Sequence, residues 1–573
     1  MKRLSLVIAA ILSGYASHSQ TFDWAKQWDC TEFMGGGPVI GIDNNQNIFL
    51  ANSFQGTVDL NQGSGTQNAS SIGNTSKNIF LVKSDASGNF VWGKQFSSDS
   101  SIAVSSVLTD NSGNVVLVGT FRGKADFDPG SSSFNLTSAG TQQNAFTVKL
   151  DPQGNFLWAK SVNAFLTWGN NATIDASGNI VFTGFFTGTV DFDPGSATHN
   201  LTAATTNMYE TFVCKLDGSG NLVWVKHIQG GSAGSCGGIS IDASGNILFS
   251  GAFSGTADFN PGSGTFNMTS STGALFVCKM DVSGNFLWAK KIETSGALYN
   301  GGFLSTDASS NVILTGVFSG TIDFDPGAGV KNLNAGGGVN SADVFICQLD
   351  ASGNFKWANQ VGNANVMALS SVTTDKSSDI YCLGLFTGTV DFDPGPGAAN
   401  LISSNYNDLY LSKYDQNGNL KWAKQWMHST ASSLLGSGLA VASDYNTYVS
   451  GGFSGTIDFD PNNGVTSLTA ANANASIYLT KLRQTTTSVK TATFQDIDIY
   501  PNPSGGTFTI RSKADLTGAK ITVRNMMGQT IPANTLVENN KIRLSLQAYP
   551  SGCYFAELQM KDGSSASFRL IKD

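Results

Sequence analysis

A tryptophan returns down this chain at a nearly constant interval, at Trp24, Trp92, Trp158, Trp224, Trp288, Trp357 and Trp422, mostly inside phrases such as FLWAK. An aspartate keeps the same time, at Asp59, Asp126, Asp191, Asp258, Asp323, Asp391 and Asp458, opening phrases such as VDFDPG at 190–195. Both spacings are about 66 residues, so two independent markers define seven units. A unit of that size is one supersecondary piece that cannot cover its own apolar faces, and neighbouring units must stack to do so. This constrains the fold more than the length of 573 residues, which would otherwise suggest several domains.

Within a unit, GISIDASGNILFSGAF (238–253) alternates apolar with small or polar residues on both sides of D-A-S-G-N, which reads as two strands and a tight turn. The Asp bonds the turn backbone and the Gly takes positive φ. FVCKMDVSGNFLWAK repeats that grammar, so each unit supplies four strands, a to d. No helical periodicity competes, and a toroid of four-stranded blades follows. The period exceeds that of simple blades, and the surplus lies between b and c, where the Asp phrase sits before a short return strand such as FNLT at 134–137. The first Trp phrase, FDWAKQW at 22–28, precedes any hairpin, whereas the last unit stops after IYLTKLR at 477–483. Residues 21–29 are therefore expected to form the outer strand of the final blade, beside 477–483. The predicted fold is all-β, a seven-bladed β-propeller over 20–483 closed by an N-terminal outer strand, plus a small C-terminal β-sandwich.

These phrases, D-x-x-G-N, a strand with G-x-F, then K-L-D-x-x-G-N-hydrophobic-x-W, resemble those of secreted bacterial β-propeller repeats. The resemblance implies export and a surface role but no single activity. The N-terminus agrees: Lys2 and Arg3, an apolar run from Leu4 to Leu12, then small residues read as a signal peptide over 1–19. With no Cys near the cleavage point, a lipid anchor is not expected. Losing the leader moves the formal charge from −8 to about −10, with charged residues only 13% of the chain, so no footprint for nucleic acid exists. No later apolar run is long enough to span a bilayer.

Past Arg483, a Thr-rich linker (484–494) leads to short strands between Pro, Gly and Asn turns over 495–573, read as a β-sandwich. Tyr500, Pro501, Asn502 and Pro503, then Gly528, then Gly552 and Tyr554 in P-S-G-C-Y, and Lys572 in the terminal RLIK resemble the type A sorting domain of the type IX secretion system. Cys553 departs from that pattern, which more often has an apolar residue there. The resemblance implies recognition of 495–573 by the type IX machinery, passage across the outer membrane, and removal of the domain with release or attachment at the surface.

Chemistry-bearing patterns are sparse. His199, His227 and His428 fall in different repeat contexts, and no H-E-x-x-H, C-x-x-C, G-x-S-x-G or phosphate loop occurs. Five Glu stand against 36 Asp, an imbalance that suits turns because the short Asp side chain reaches its own backbone. The Asp-Phe-Asp phrases are read as Asx-Pro turns with the central Phe or Leu packed inward. Calcium is the competing reading, opposed by Asn61 and Asn260 replacing the second Asp and Asn462 replacing the final Gly. Cys214, Cys278 and Cys347 share one repeat position and read as small buried residues, while Cys30 and Cys236 lie in corresponding loops and are the one pair expected to be testable as a disulfide. The regular Trp residues read as inter-blade core, and the irregular Trp28, Trp168, Trp426 and Tyr299 as ligand contacts.

The expected function is a non-enzymatic binding or scaffold module for an extracellular glycan or protein, with no cofactor. The alternative is a secreted hydrolase or lyase acting on an extracellular polymer. Carboxylates or His converging in the central mouth would favour the enzyme, and a mouth of Gly, Ser and Asn the binder.

Overall fold

A computed structural model describes residues 18–30, 32–33, 37–73, 76–138, 143–163, 172–204, 209–294, 298–335, 342–362, 366–403, 407–428, 432–462, 464–471, 476–486, 497–513, 515–524, 530–560 and 565–573. For a few strand residues, among them 232–236 and 298–301, the backbone alone is described. The leader before His18 and most of the linker lie outside these ranges. The described residues form strands and turns, in two compact units, Thr21–Arg483 and a second holding Gln484–Asp573. Among them no helix is long and apolar enough to cross a membrane.

The repeat grammar becomes antiparallel four-stranded sheets in the order a-b-c-d. In the second repeat these are Ser101–Thr109, Val115–Arg122, Asn144–Leu150 and Phe156–Val162. The a-b and c-d turns are the D-x-x-G-N phrases. Asp110 Oδ1 accepts N–H bonds from Ser112 (2.9 Å) and Asn114 (3.0 Å), and Gly113 takes φ +78°. In four a-b turns the left-handed residue is not glycine but Gln46, Ser310, Ser378 or Tyr445.

The four-stranded sheet of the seventh repeat takes three strands from the repeat itself, Ser433–Val441, Thr447–Ser454 and Ser476–Thr486, and its outer strand, His18–Asp29, from the N-terminal stretch. The Asp23 carboxylate lies 3.1 Å from Lys481 Nζ, and Thr480 Oγ1 donates to Trp24 O (3.3 Å).

Strands b and c are buried on both faces, as stacked sheets require: Val115, Val116, Leu117 and Val118 are all fully buried. Apolar clusters lie between consecutive sheets. One joins Phe49, Leu81 and Phe96 to Val115, Leu117 and Phe146. Another joins Tyr448, Ile477 and Leu479 of the last repeat to Ile48, Leu50 and Phe54 of the first. The a strands neighbour one another in chain order, and Ser433–Val441 neighbours Val39–Ile42.

In the second unit, the sheet Ile497–Tyr500, Thr507–Ser512, Lys541–Ser545, Asn534–Glu538 and the sheet Thr530–Ile531, Lys520–Arg524, Gly552–Gln559, Ser565–Lys572 each run antiparallel in that spatial order. Phe508, Leu544, Leu546 and Leu570 are fully buried in its core.

Candidate functional site

Every Asp-Phe-Asp phrase folds as the same small hairpin. The first Asp is a clamp: Asp323 Oδ1 accepts N–H bonds from Asp325 (3.1 Å) and, across the loop, Lys331 (2.7 Å). Asp325 Oδ1 then accepts from Gly327 N (2.7 Å). Asn260 does the same for Gly262 (2.9 Å) without the charge, and Asp460 for Asn462 (2.9 Å), so both variants keep the bond. The central Leu60, Phe127, Phe192, Phe259, Phe324, Phe392 and Phe459 are all at most 1% exposed. Phe324 packs 4.6 Å from Phe345 and 5.4 Å from Phe318, and Cys347 Sγ lies under its carbonyl at 3.8 Å. Among the described residues no group of three His, Cys, Asp or Glu side chains could hold a metal. Asp323→Ala should cost about 1–3 kcal/mol by leaving two N–H groups without their acceptor. Asp325→Asn should stay within about 0.5 kcal/mol in urea melts, because a hydrogen-bonding amide replaces the acceptor without leaving a gap.

The regular Trp residues join with a strand-c lysine to grip the next repeat. Lys149 Nζ and Trp158 Nε1 both donate to Gly218 O, at 3.0 and 3.2 Å, in the following c-d turn. Lys279 and Trp288 take Ala351 O in the same way (2.9 and 3.2 Å). A Cβ on Gly220 would lie 2.9 Å from the Trp158 ring, so the turn glycine is also needed for this approach. The lysine is paired within its own sheet: Lys149–Asp110 is 2.9 Å, Lys215–Asp175 2.9 Å and Lys279–Asp242 2.7 Å. Burial acts to raise the Asp242 carboxyl, but the Lys279 ammonium, the Asn246 amide and backbone N–H bonds outweigh it and hold it below the ordinary range. The last repeat grips the first, with Lys481 Nζ donating to Ala86 O (2.8 Å). In the sixth repeat the following c-d turn does not exist, because the chain is broken there. Lys413 instead meets Asp375 (3.0 Å) and Asp379 (2.9 Å), under the Tyr381 ring.

At the opposite end of strands c and d, acidic residues cap the long connections. Gln360 Nε2 donates to Asp343 (2.7 Å) and Gln425 Nε2 to Asp408 (2.7 Å), each pair 17 residues apart. The same spacing in the third repeat gives Glu210 and His227, 3.6 Å apart. Glu210 Oε1 accepts from Ala204 N (3.0 Å) and Gly230 N (2.9 Å), and the imidazole stacks on Phe186 at 5.5 Å. Burial pushes His227 below its ordinary pKa despite the carboxylate. The arrangement ties two connections together, with both Glu210 and His227 buried. The 17-residue spacing would have found it.

The expected ligand contacts Trp28 and Trp426 are corrected by their burial. Both are 1% exposed, and their Nε1 atoms donate inward to Leu60 O (3.3 Å) and Phe459 O (2.9 Å). They occupy a strand-d position that is Phe96, Val162, Ile228, Ile292 and Val361 in the other repeats, all buried. Trp168 and the side chains of Tyr299 and Cys236 lie outside the described residues. Cys30 is buried, which together with Asp29 pushes its thiol up to about 12. Cys214, Cys278 and Cys347 are fully buried.

The a strands, Val39–Ile42, Ser101–Thr109, Ala172–Ile174, Gln229–Ile241, Leu298–Thr306, Val366–Thr374 and Ser433–Val441, contain no Asp, Glu, His, Lys or Arg. Hydroxyls join some of them near the a-b turns, as where Thr109 Oγ1 donates to Ile42 O (2.9 Å) and Thr374 Oγ1 to Thr306 O (2.8 Å).

In the C-terminal unit the motif residues meet at one end of the domain. Asn502 Nδ2 donates to Arg569 O (2.7 Å), and Asn502 Oδ1 accepts from Ile571 N (2.8 Å). Lys572 Nζ caps the carbonyls of Gln547 (3.2 Å) and Tyr549, and Tyr554 OH donates to Pro550 O (2.7 Å). Tyr500 is 45% exposed, and Gly528 lies outside the described residues.

Comparison with known proteins bears on the tail and on the repeats separately. Residues 498–573 match the family model described as a secretion system C-terminal sorting domain. A curated relative, an uncharacterised WD repeat-containing protein of Acanthamoeba polyphaga mimivirus, is 25% identical over 467 residues. That alignment takes in 68% of this chain and 33% of the relative, so the chain spans about one third of its length. Among solved structures, the plexin A4 extracellular region overlaps at 9% identity and TM-score 0.34, over 95% of this chain and 62% of that one. Regucalcin of Agrobacterium tumefaciens, a calcium-binding protein, overlaps at 10% and TM-score 0.22, over 55% and 90%. Overlaps that shallow add nothing to what the strand pairing establishes. The chain is a repeat protein of four-stranded antiparallel sheets, and its residues 498–573 match a sorting domain.

Proposed function

We propose that the protein is an exported, non-enzymatic binding or scaffold module of the cell surface or extracellular space. Residues 21–483 are read as a propeller of seven blades closed by the N-terminal strand, a reading supported by the sequence of sheet-to-sheet clusters that returns from the last repeat to the first. The C-terminal domain directs it across the outer membrane through the type IX machinery. One observation carries the non-enzymatic part: the a strands, which would line the central mouth, bring no acid, base or charged electrophile to it. Recognition is then left to the long d-a and b-c connections, where a glycan or protein of the exterior would bind.

Purified fragment 20–483 tested against a panel of polysaccharides should retain at least one member without shortening it. Cleavage would overturn the non-enzymatic reading. The Asp-Phe-Asp loops are proposed to need no cation, because the clamp oxygens already accept backbone N–H bonds. Calorimetry of the same fragment should give no tight calcium binding, and a stoichiometric micromolar site would reverse that assignment.

A further inference from the structure

Of the sorting-domain motif residues, Tyr500 to Pro503 and Gly552 are exposed, whereas those that hold the C-terminal hairpin face inward or bond backbone. Tyr554 is 5% exposed and Leu570 fully buried, while Asn502 and Lys572 spend their polar atoms on neighbouring backbone. What they fix is the C-terminal hairpin, Gly552–Gln559 with Ser565–Lys572. Side chains alternate along a strand, so holding Tyr554 and Leu570 inward presents Cys553, Phe555, Arg569 and Ile571 outward.

Register places Phe555 opposite Arg569 on one side and opposite Arg524 on the other, and Cys553 opposite Ile571. Phe555 is 50% exposed, both arginines are exposed, and Cys553 and Ile571 are half-buried. Farther along the same face the residues are polar, Thr522 and Lys520 beside Glu557 and Gln559. A phenyl ring held in water between two guanidinium groups is costly on a solvent-facing sheet unless something covers it. Aromatic and arginine side chains are also the types that dominate protein interfaces.

We propose that this outward face, centred on Phe555 and bracketed by Arg524 and Arg569, is the surface by which the export machinery recognises the domain. Its partner is an apolar protein surface flanked by carboxylates, matched to the ring and the two guanidinium groups. This rests on the type IX reading given above. A second exposed apolar residue, Leu536 (55%), lies on the edge strand of the other sheet and supplies the control.

The test uses the full chain in a bacterium with a type IX system and measures the fraction of protein outside the outer membrane. Deleting 497–573 should abolish export. Phe555→Ser, and separately Arg524→Glu with Arg569→Glu, should lower the exported fraction about tenfold, the loss expected of a hot-spot contact. Leu536→Lys should export like wild type. If Phe555→Ser lowers the melting temperature, the double charge reversal decides. Export of the deletion would sink the type IX reading itself. Normal export of the Phe555 and arginine variants, with the deletion retained, would sink only the surface. So would retention of Leu536→Lys beside normal export of Phe555→Ser. Self-association of the wild-type chain that Phe555→Ser abolishes would assign the face to a second copy and overturn the proposal.

Discussion

A chain lacking residues 18–29 is expected not to fold its repeat unit at all. The deletion strips the outer strand from the last sheet, removes Trp28 from the cluster that joins the last repeat to the first, and takes Asp23 from Lys481. Loss of a buried Trp alone costs about 3–5 kcal/mol, and folded domains hold only about 5–15 kcal/mol in reserve. Trp28→Ala should therefore survive as a destabilised protein with a lowered urea midpoint. The deletion should be recovered as aggregate or as a species that binds hydrophobic dyes. Adding a peptide of residues 18–29 in trans should restore a cooperative melt, and a deletion variant that melts like wild type would refute the closing role of this strand.

The second large effect is expected at the buried lysines. Lys279→Ala leaves Asp242 buried without its ammonium, which typically costs about 3–5 kcal/mol. The fifth repeat shows the milder alternative, with Gln348 in the lysine's place, accepting from Trp357 Nε1 at 3.0 Å and approaching Asp307 at 3.4 Å. Lys279→Gln should accordingly cost less than half as much as Lys279→Ala.

The same pairs set an acid limit. The carboxyls of Asp110, Asp175 and Asp242 are held below their ordinary values, in each case against burial and by hydrogen bonds and the paired lysine. A depressed carboxyl stabilises the fold above its unfolded pKa, near 4, and that stability is lost as pH falls through the lower folded value. Urea midpoints should hold from neutral pH to about pH 5 and fall below about pH 4. In Lys279→Ala, burial acts on Asp242 without the ammonium, so the difference from wild type should shrink on acidification. A difference that grows would contradict the pairing.

Much of this architecture was legible because it is local. D-x-x-G-N encodes its own turn, since one Asp oxygen takes two N–H groups within four residues. The Asp-Phe-Asp clamp, eight residues across, was legible as a turn, and the Asn substitutions at 61, 260 and 462 made sense once hydrogen bonding rather than charge was the conserved chemistry among repeats. What failed was reading rarity as function. Trp28 and Trp426 stood out because tryptophan is uncommon at that position, yet the position is Phe, Val or Ile elsewhere, and its apolar character was the better guide. The lysine that reaches the next repeat was invisible for another reason: its partner is 69 or 72 residues away, and only stacking brings the two together. No ligand was legible, because the d-a connections follow no repeat and the repeated Asp-Phe-Asp hairpins spend their clamp oxygens on backbone.

The sheet order of the last repeat also bears on force. Ser476–Thr486, the strand that leads toward the sorting domain, has Thr447–Ser454 on one side and His18–Asp29 on the other. A pull on the tail during passage or anchoring therefore runs along a strand with ladders on both flanks, loading their hydrogen bonds together in shear. A strand at a free edge would unzip one bond at a time. The same N-terminal segment that completes the sheet thus protects Ser476–Thr486 from being unzipped by a pull on the tail.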